Sequence, residues 1–138
     1  MSKVVLDASI ALAWCFPDEA SAYADEVLLA LEGNPILVPA IWPLEIANAV
    51  LAGQRQNRLR ASELELFLSF LERLSIVQDI QSVVQQVASV LPVARRHGLS
   101  AYDAAYLELA LRHGVCLATF DRKLQNAAKA LDVTLFAP

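Results

Sequence analysis

Four carboxylates, Asp7, Glu45, Asp103 and Asp121, each stand where an apolar run gives way to the expected start of a helix. Taken singly they are unremarkable. A carboxylate at a helix start accepts free amide groups and opposes the helix dipole, a gain of about 0.3–1 kcal/mol. Asp7 and Asp121 read as N-caps, Asp103 as the acid of the capping pattern Ser100-Ala101-Tyr102-Asp103, and Glu45 as a first-turn acid after Pro43. Four such places in 138 residues, two of them directly after expected strands, point further: to acids gathered at one edge of a parallel sheet to hold divalent cations. Unit charges about 5 Å apart at an effective dielectric near 20 repel by roughly 3 kcal/mol per pair, so the group calls for a cation or for protonated acids. Oxygen donors without histidine or cysteine favour Mg²⁺ or Mn²⁺ over zinc.

The elements that must position these acids follow from periodicity and punctuation. Short buried strands are expected at residues 3–7, 36–38, 75–78, 115–119 and 133–136. Helices are expected from Ser9 to near Pro17, over 20–32 with Gly33 as its stop, and from Pro43 to Gly53. Further helices follow over 62–74, over 82–97 with a kink or break at Pro92, from Ser100 to His113, and from Asp121 to about Leu131. The Arg-His-Gly triplets ending at Gly98 and Gly114 read as two similar helix C-termini rather than a repeat. Strands alternating with helices indicate an α/β domain with a mainly parallel sheet. In a doubly wound sheet of this kind, ligands bind beyond the carboxyl ends of the strands where strand order reverses, so Asp7 and Asp121 face each other if the first strand and the 115–119 strand are neighbours.

A chain of 138 residues is the size of one domain and buries roughly 68–70% of its unfolded surface on folding. Its mean hydropathy of +0.44 is high, yet no apolar stretch approaches the roughly 18–20 residues of a membrane helix, which leaves a subunit interface as the home for the excess. Asp7 interrupts the apolar N-terminal stretch and no small-residue cleavage site follows it, so a cytoplasmic location is expected. Cys15 and Cys116 show no metal-binding spacing and read as buried free thiols, with a disulfide between them left open. The net charge of −4 argues against an open, sequence-independent nucleic-acid binder, though not against a nuclease whose acidic pocket is neutralised by metal.

At these residues the chain resembles the PIN-domain ribonucleases, and within them the VapC-type toxins of prokaryotic toxin–antitoxin pairs. Val-Val-Leu-Asp7-Ala-Ser9 resembles the opening motif, Glu45-Ile-Ala-Asn48 the segment with the second acid, Ser100-Ala-Tyr-Asp103-Ala-Ala-Tyr-Leu-Glu-Leu-Ala the third block, and Ala118-Thr119-Phe-Asp121 the fourth. The resemblance spans nearly the whole chain, as a single PIN-like domain over 1–138. It implies a three-layer sandwich with a five-stranded, mainly parallel sheet flanked by helices, a homodimer, Mg²⁺ or Mn²⁺ dependence, endonucleolytic cleavage of RNA, and a VapB-type antitoxin partner.

The expected mechanism assigns Asp7, Asp103 and Asp121 as metal ligands, with Glu45 completing the site or binding a second ion. Thr119 and Ser9 orient carboxylates or a phosphate oxygen, and Asn48, one helical turn beyond Glu45, serves behind the ligands. A metal-activated water then attacks the phosphodiester without a histidine base, leaving 5′-phosphate and 3′-hydroxyl ends. Arg55, Arg58 and Arg60 read first as solvated surface and second as phosphate contacts, as do Arg122 and Lys123 beside the fourth acid. Tyr102 and Tyr106 read as core or dimer packing rather than base-stacking platforms, Trp14 and Phe16 as packing, and His97 and His113 as helix-end residues. Two rival readings stay on the same fold: a catalytically silent binding module whose acids are only caps, and a solitary RNA-processing nuclease without an antitoxin. A receiver-like phosphoryl-transfer domain is disfavoured because Asp7-Ala8-Ser9 lacks a second adjacent acid, and no glycine-rich phosphate loop is present.

Overall fold

Two three-residue strands buried on both faces form the middle of the sheet, and their wholly apolar sequences explain why: Val4–Leu6 (β1) is 0% exposed throughout, and Ile36–Val38 (β2) is equally apolar and buried. Ile76–Gln78 (β3) and Cys116–Ala118 (β4) complete a parallel sheet of order β3-β2-β1-β4, seen in a computed structural model that describes residues 3–138. Strand order reverses at β1, so the crevice expected at such a switch point opens where β1 and β4 end.

The helices fall into two groups. Ala8–Cys15 (α1) packs against Ala22–Leu31 (α2), Trp42–Arg55 (α3) and Ala61–Glu72 (α4). Ala101–His113 (α6) lies against β1 and β4, with Val83–His97 (α5) and Arg122–Ala130 (α7) packed on it. Local chemistry sets several ends. Ser82 and Gln85 form a reciprocal capping box for α5, Ser100 caps α6, and Gly98 and Gly114 close these two helices in the left-handed conformation at φ 60° and 64°.

Three expectations are corrected. The segment 133–136 is not a fifth strand: it meets β4 only at the bridge between Leu117 and Leu135, where Leu117 N–H donates to Thr134 and Phe136 N–H donates back to Leu117. The sheet therefore has four strands among the described residues. Gly53 does not end α3, which runs on to Arg55. The reason is steric, because a Cβ at Gly53 would overlap the buried Phe16 ring, so glycine is there for the close approach of α1 and α3. Of the kink or break expected at Pro92, the break is absent: α5 runs unbroken through it, on a helix with a capping box at one end and a glycine cap at the other. Both cysteines are free thiols, Cys15 buried and Cys116 half-buried.

Candidate metal centre

β1 and β4 pair with Leu6 opposite Ala118, so Asp7 and Thr119 are the first residues beyond the sheet on adjacent strands. Asp7 N–H continues the ladder by donating to Ala118 O at 2.9 Å. Its carboxylate is 8% exposed and is held by two hydroxyls: Thr119 Oγ1 donates at 2.6 Å and Ser9 Oγ at 2.8 Å, both to Oδ2. Thr119, itself buried, also accepts the Asp121 amide at 3.0 Å, while Ser9 Oγ accepts the Phe120 amide at 3.4 Å. The two hydroxyls thus tie the end of β1 to the loop that carries Asp121. Of the two uses expected of Thr119 and Ser9, a carboxylate or a phosphate oxygen, these bonds are of the first kind.

The plain capping readings separate here. Asp7 stands at the N-cap of α1 but makes no side-chain cap, its carboxylate being turned to the hydroxyls instead. Ser100 Oγ accepts the Asp103 amide at 3.1 Å, whereas the Asp103 carboxylate makes no return bond, so only half of a capping box forms. Asp121 does cap its helix, accepting the Leu124 amide at 2.9 Å through Oδ1. Glu45, in the first turn of α3, accepts the hydroxyl of Tyr106 across 61 residues of sequence.

The electrostatics bind the four acids into one neighbourhood. Burial pushes the Asp7 carboxyl above its ordinary value; the Thr119 and Ser9 bonds pull the other way, and the charges of Asp103 and Asp121 push it further up. Burial also raises Glu45, against the Tyr106 bond and with the charges of Asp7 and Asp103. Asp103 is raised by burial and by Asp121, offset by Ser100 and by Lys123. None of Asp7, Glu45 and Asp103 has an arginine partner among the described residues. Among the described residues no three acid, histidine or cysteine side chains stand together as a ready ligand cage, so the four acids share a neighbourhood without the close gathering expected of them. The donor set fits a hard cation: carboxylate and hydroxyl oxygens only, at least one carboxylate desolvated, and several negative charges with no internal counter-charge beyond Lys123.

Other expected residues fare unevenly. Asn48 is exposed and makes no side-chain hydrogen bond among the described residues, so nothing ties it to Glu45. Arg58 is already engaged, paired with Asp18 at 2.9 Å and Glu19 at 2.5 Å over the Phe16 ring, and Arg60 pairs with Glu63. Arg122 and Lys123 follow Asp121 directly, are exposed and form no ion pair among the described residues. Tyr106 is fully buried in the core, whereas Tyr102 is 61% exposed and takes no part in it. The role of Tyr106 was missed by sequence reading, although its spacing of three from Asp103 places both on one helix face.

The model of the PIN domain matches residues 4–130. The chain belongs to the PIN-domain family. Ribonuclease VapC3 of Pyrobaculum aerophilum is 31% identical over 129 residues, covering 94% of this chain and 97% of that protein. Among solved structures, PAE2754 of Pyrobaculum aerophilum superposes with a TM-score of 0.69 at 25% identity, over 91% of this chain and 79% of its own. VapBC2 of Rickettsia felis, solved bound to a DNA fragment from its promoter, gives a TM-score of 0.64 at 19% identity over 97% of each chain, a likeness of fold. The PIN-domain match extends from the first residue of β1 to the last residue of α7, and so takes in all four acids.

Proposed function

We propose that the protein is a metal-dependent endoribonuclease, the VapC-type toxin of a toxin–antitoxin pair, with Asp7, Glu45, Asp103 and Asp121 holding Mg²⁺ or Mn²⁺. The observation that carries this reading is the pairing of β1 with β4, which sets Asp7 and the Asp121 loop side by side at a strand-order reversal, tied through Thr119. Membership of the PIN-domain family and the likeness to Ribonuclease VapC3 support the substrate class.

A bound divalent cation supplies an activated water and neutralises charge developing on the phosphate. The chain's own part is to bind and orient. Ser9 and Thr119 fix the Asp7 carboxylate through one oxygen, Asp121 is held at its helix start, and Lys123 and Arg122 stand ready for phosphate oxygens. The test is incubation of purified protein with structured RNAs with and without Mn²⁺. Cleavage that requires the metal and yields 5′-phosphate and 3′-hydroxyl ends is expected; metal-independent cleavage, or none on any RNA, overturns the assignment.

An exposed apolar stripe and an apolar groove support association with an antitoxin and with a second copy. One runs along Ile80, Val83, Val84, Val87 and Leu91; the other is a groove of about 550 Å³ between α3 and α4 lined by Trp42, Ile46, Val50, Leu64, Leu68 and Leu71. Light scattering on the isolated chain is expected to give a dimer. No helix among the described residues is long and apolar enough to cross a membrane.

A further inference from the structure

Tyr106 is the largest fully buried side chain of the core, yet its hydroxyl is not spent on packing. It donates to Glu45 Oε1 on α3 and accepts the Ala8 amide, at 3.3 Å, at the start of α1. Ala8 directly follows Asp7, and Tyr106 itself lies one helical turn beyond Asp103. One oxygen atom therefore joins three separate elements, each of which carries a proposed metal ligand. Asp7 is anchored from the other side by Ser9 and Thr119, whereas Glu45 receives no other side-chain hydrogen bond among the described residues. Glu45 is only half-buried, and without a fixed donor a side chain of its length is free to turn to solvent.

We infer that Tyr106 is a positioning residue of the metal centre: its hydroxyl, held in place by the Ala8 amide, fixes Glu45 beside Asp7 and so sets the affinity of the site for a divalent cation. The inference rests on the metal-site reading above and adds to it a residue that touches neither cation nor substrate. Outer hydrogen-bond partners of metal ligands are worth roughly 10–100-fold in metal affinity. The alternative is a purely structural hydroxyl, which satisfies a buried amide and leaves metal binding alone.

Mn²⁺ titration by electron paramagnetic resonance, with folding checked by circular dichroism, separates the two. Y106F keeps the ring and its packing and removes only the oxygen. It is expected to weaken Mn²⁺ binding by roughly tenfold. In an E45A background the same substitution should cost less than twofold, because the residue it positions is gone. Wild-type affinity in Y106F, or an equal loss with and without Glu45, overturns the inference. Should Y106F fail to fold, Y106M asks the same question. Methionine fills the space with an unbranched, adaptable apolar chain and, like phenylalanine, offers no hydroxyl to Glu45. The loss of affinity in Y106M should likewise vanish in the E45A background, and a loss that persists there counts against the inference. D7N and E45A report on the parent reading. If both bind Mn²⁺ as wild type does, the metal site itself falls and the inference with it; if they lose binding while Y106F retains it, only the role of Tyr106 is lost.

Discussion

Two groups of acids sit along the same helix and have opposite electrostatics. At the start of α6, Asp103 shares a neighbourhood with Asp7, Glu45 and Asp121 in which burial and mutual charge push carboxyls up. Two turns later the same helix carries Glu108 and Arg112. Arg112 pairs with Glu108 at 2.7 Å and takes Asp79, just past β3, in a two-pronged grip at 2.6 and 3.1 Å. There the arginine holds the Asp79 carboxyl below its ordinary value. Glu108 is buried to 7% exposure, as deeply as Asp7, so depth alone does not distinguish the two places. The difference is that one cluster holds an arginine among its acids, whereas the other has only the charge of Lys123 acting on Asp103. That contrast is what the proposed metal reading rests on.

The largest effect expected from breaking this contrast is on the unmatched cluster. D7N and D103N should each lower RNA cleavage by more than about 100-fold, with melting temperature and circular dichroism showing an intact fold. Full cleavage by either variant would sink the assignment. T119V removes the hydroxyl that joins Asp7 to the Asp121 loop while keeping the side chain's shape, and should cost roughly tenfold in Mn²⁺ affinity, read by titration. On the matched cluster, R112M leaves Asp79 and the buried Glu108 without their partner. It should destabilise the protein by about 1–3 kcal/mol, less than a fully buried pair because Arg112 is one-third exposed, measured by urea unfolding.

The smallest effect is also the sharpest comparison. A carboxyl whose folded value is raised favours the folded state when protonated, so the metal-free site loses stability as pH climbs from the ordinary aspartate value of 3.8 through the raised one. D7N should therefore melt higher than wild type near pH 7 without metal, and the gap should close in acid. Asp79 is lowered and behaves in the opposite sense: its contribution is complete above 3.8 and is lost as pH falls through its depressed value. The penalty of R112M should accordingly shrink in acid. Melting curves from pH 3 to pH 8 show whether the two clusters move apart as described; parallel profiles would contradict the contrast.

What sequence made legible was set by short-range chemistry. The serine and glycine punctuation around α5 and α6 placed their ends within a residue, and all-apolar triplets located β1 and β2, since each signal acts through its own neighbours. The four acids were legible for the same reason, each sitting at a helix start. The misreadings needed partners far along the chain. Gly53 looks like a helix stop until Phe16 is found against it, and 133–136 looks like a strand although its pairing is confined to Leu117. Arg58 looks like a free cation until Asp18 and Glu19 are brought to it across 40 and 39 residues. Tyr106 was hidden most completely, because an aromatic at helical spacing looks the same whether its hydroxyl is idle or bonded.

The bare backbone at Gly53 has a reach beyond its own helix. Phe16 closes α1, whose opposite end begins at the residue after Asp7, and it lies under the guanidinium of Arg58. Any side chain at position 53 must shove that buried ring aside and disturb the end of the rod it terminates. Position 53 is therefore where saturation mutagenesis along α3 should find the least tolerance. Alleles surviving there should betray themselves by a lowered melting temperature even where the acids are untouched.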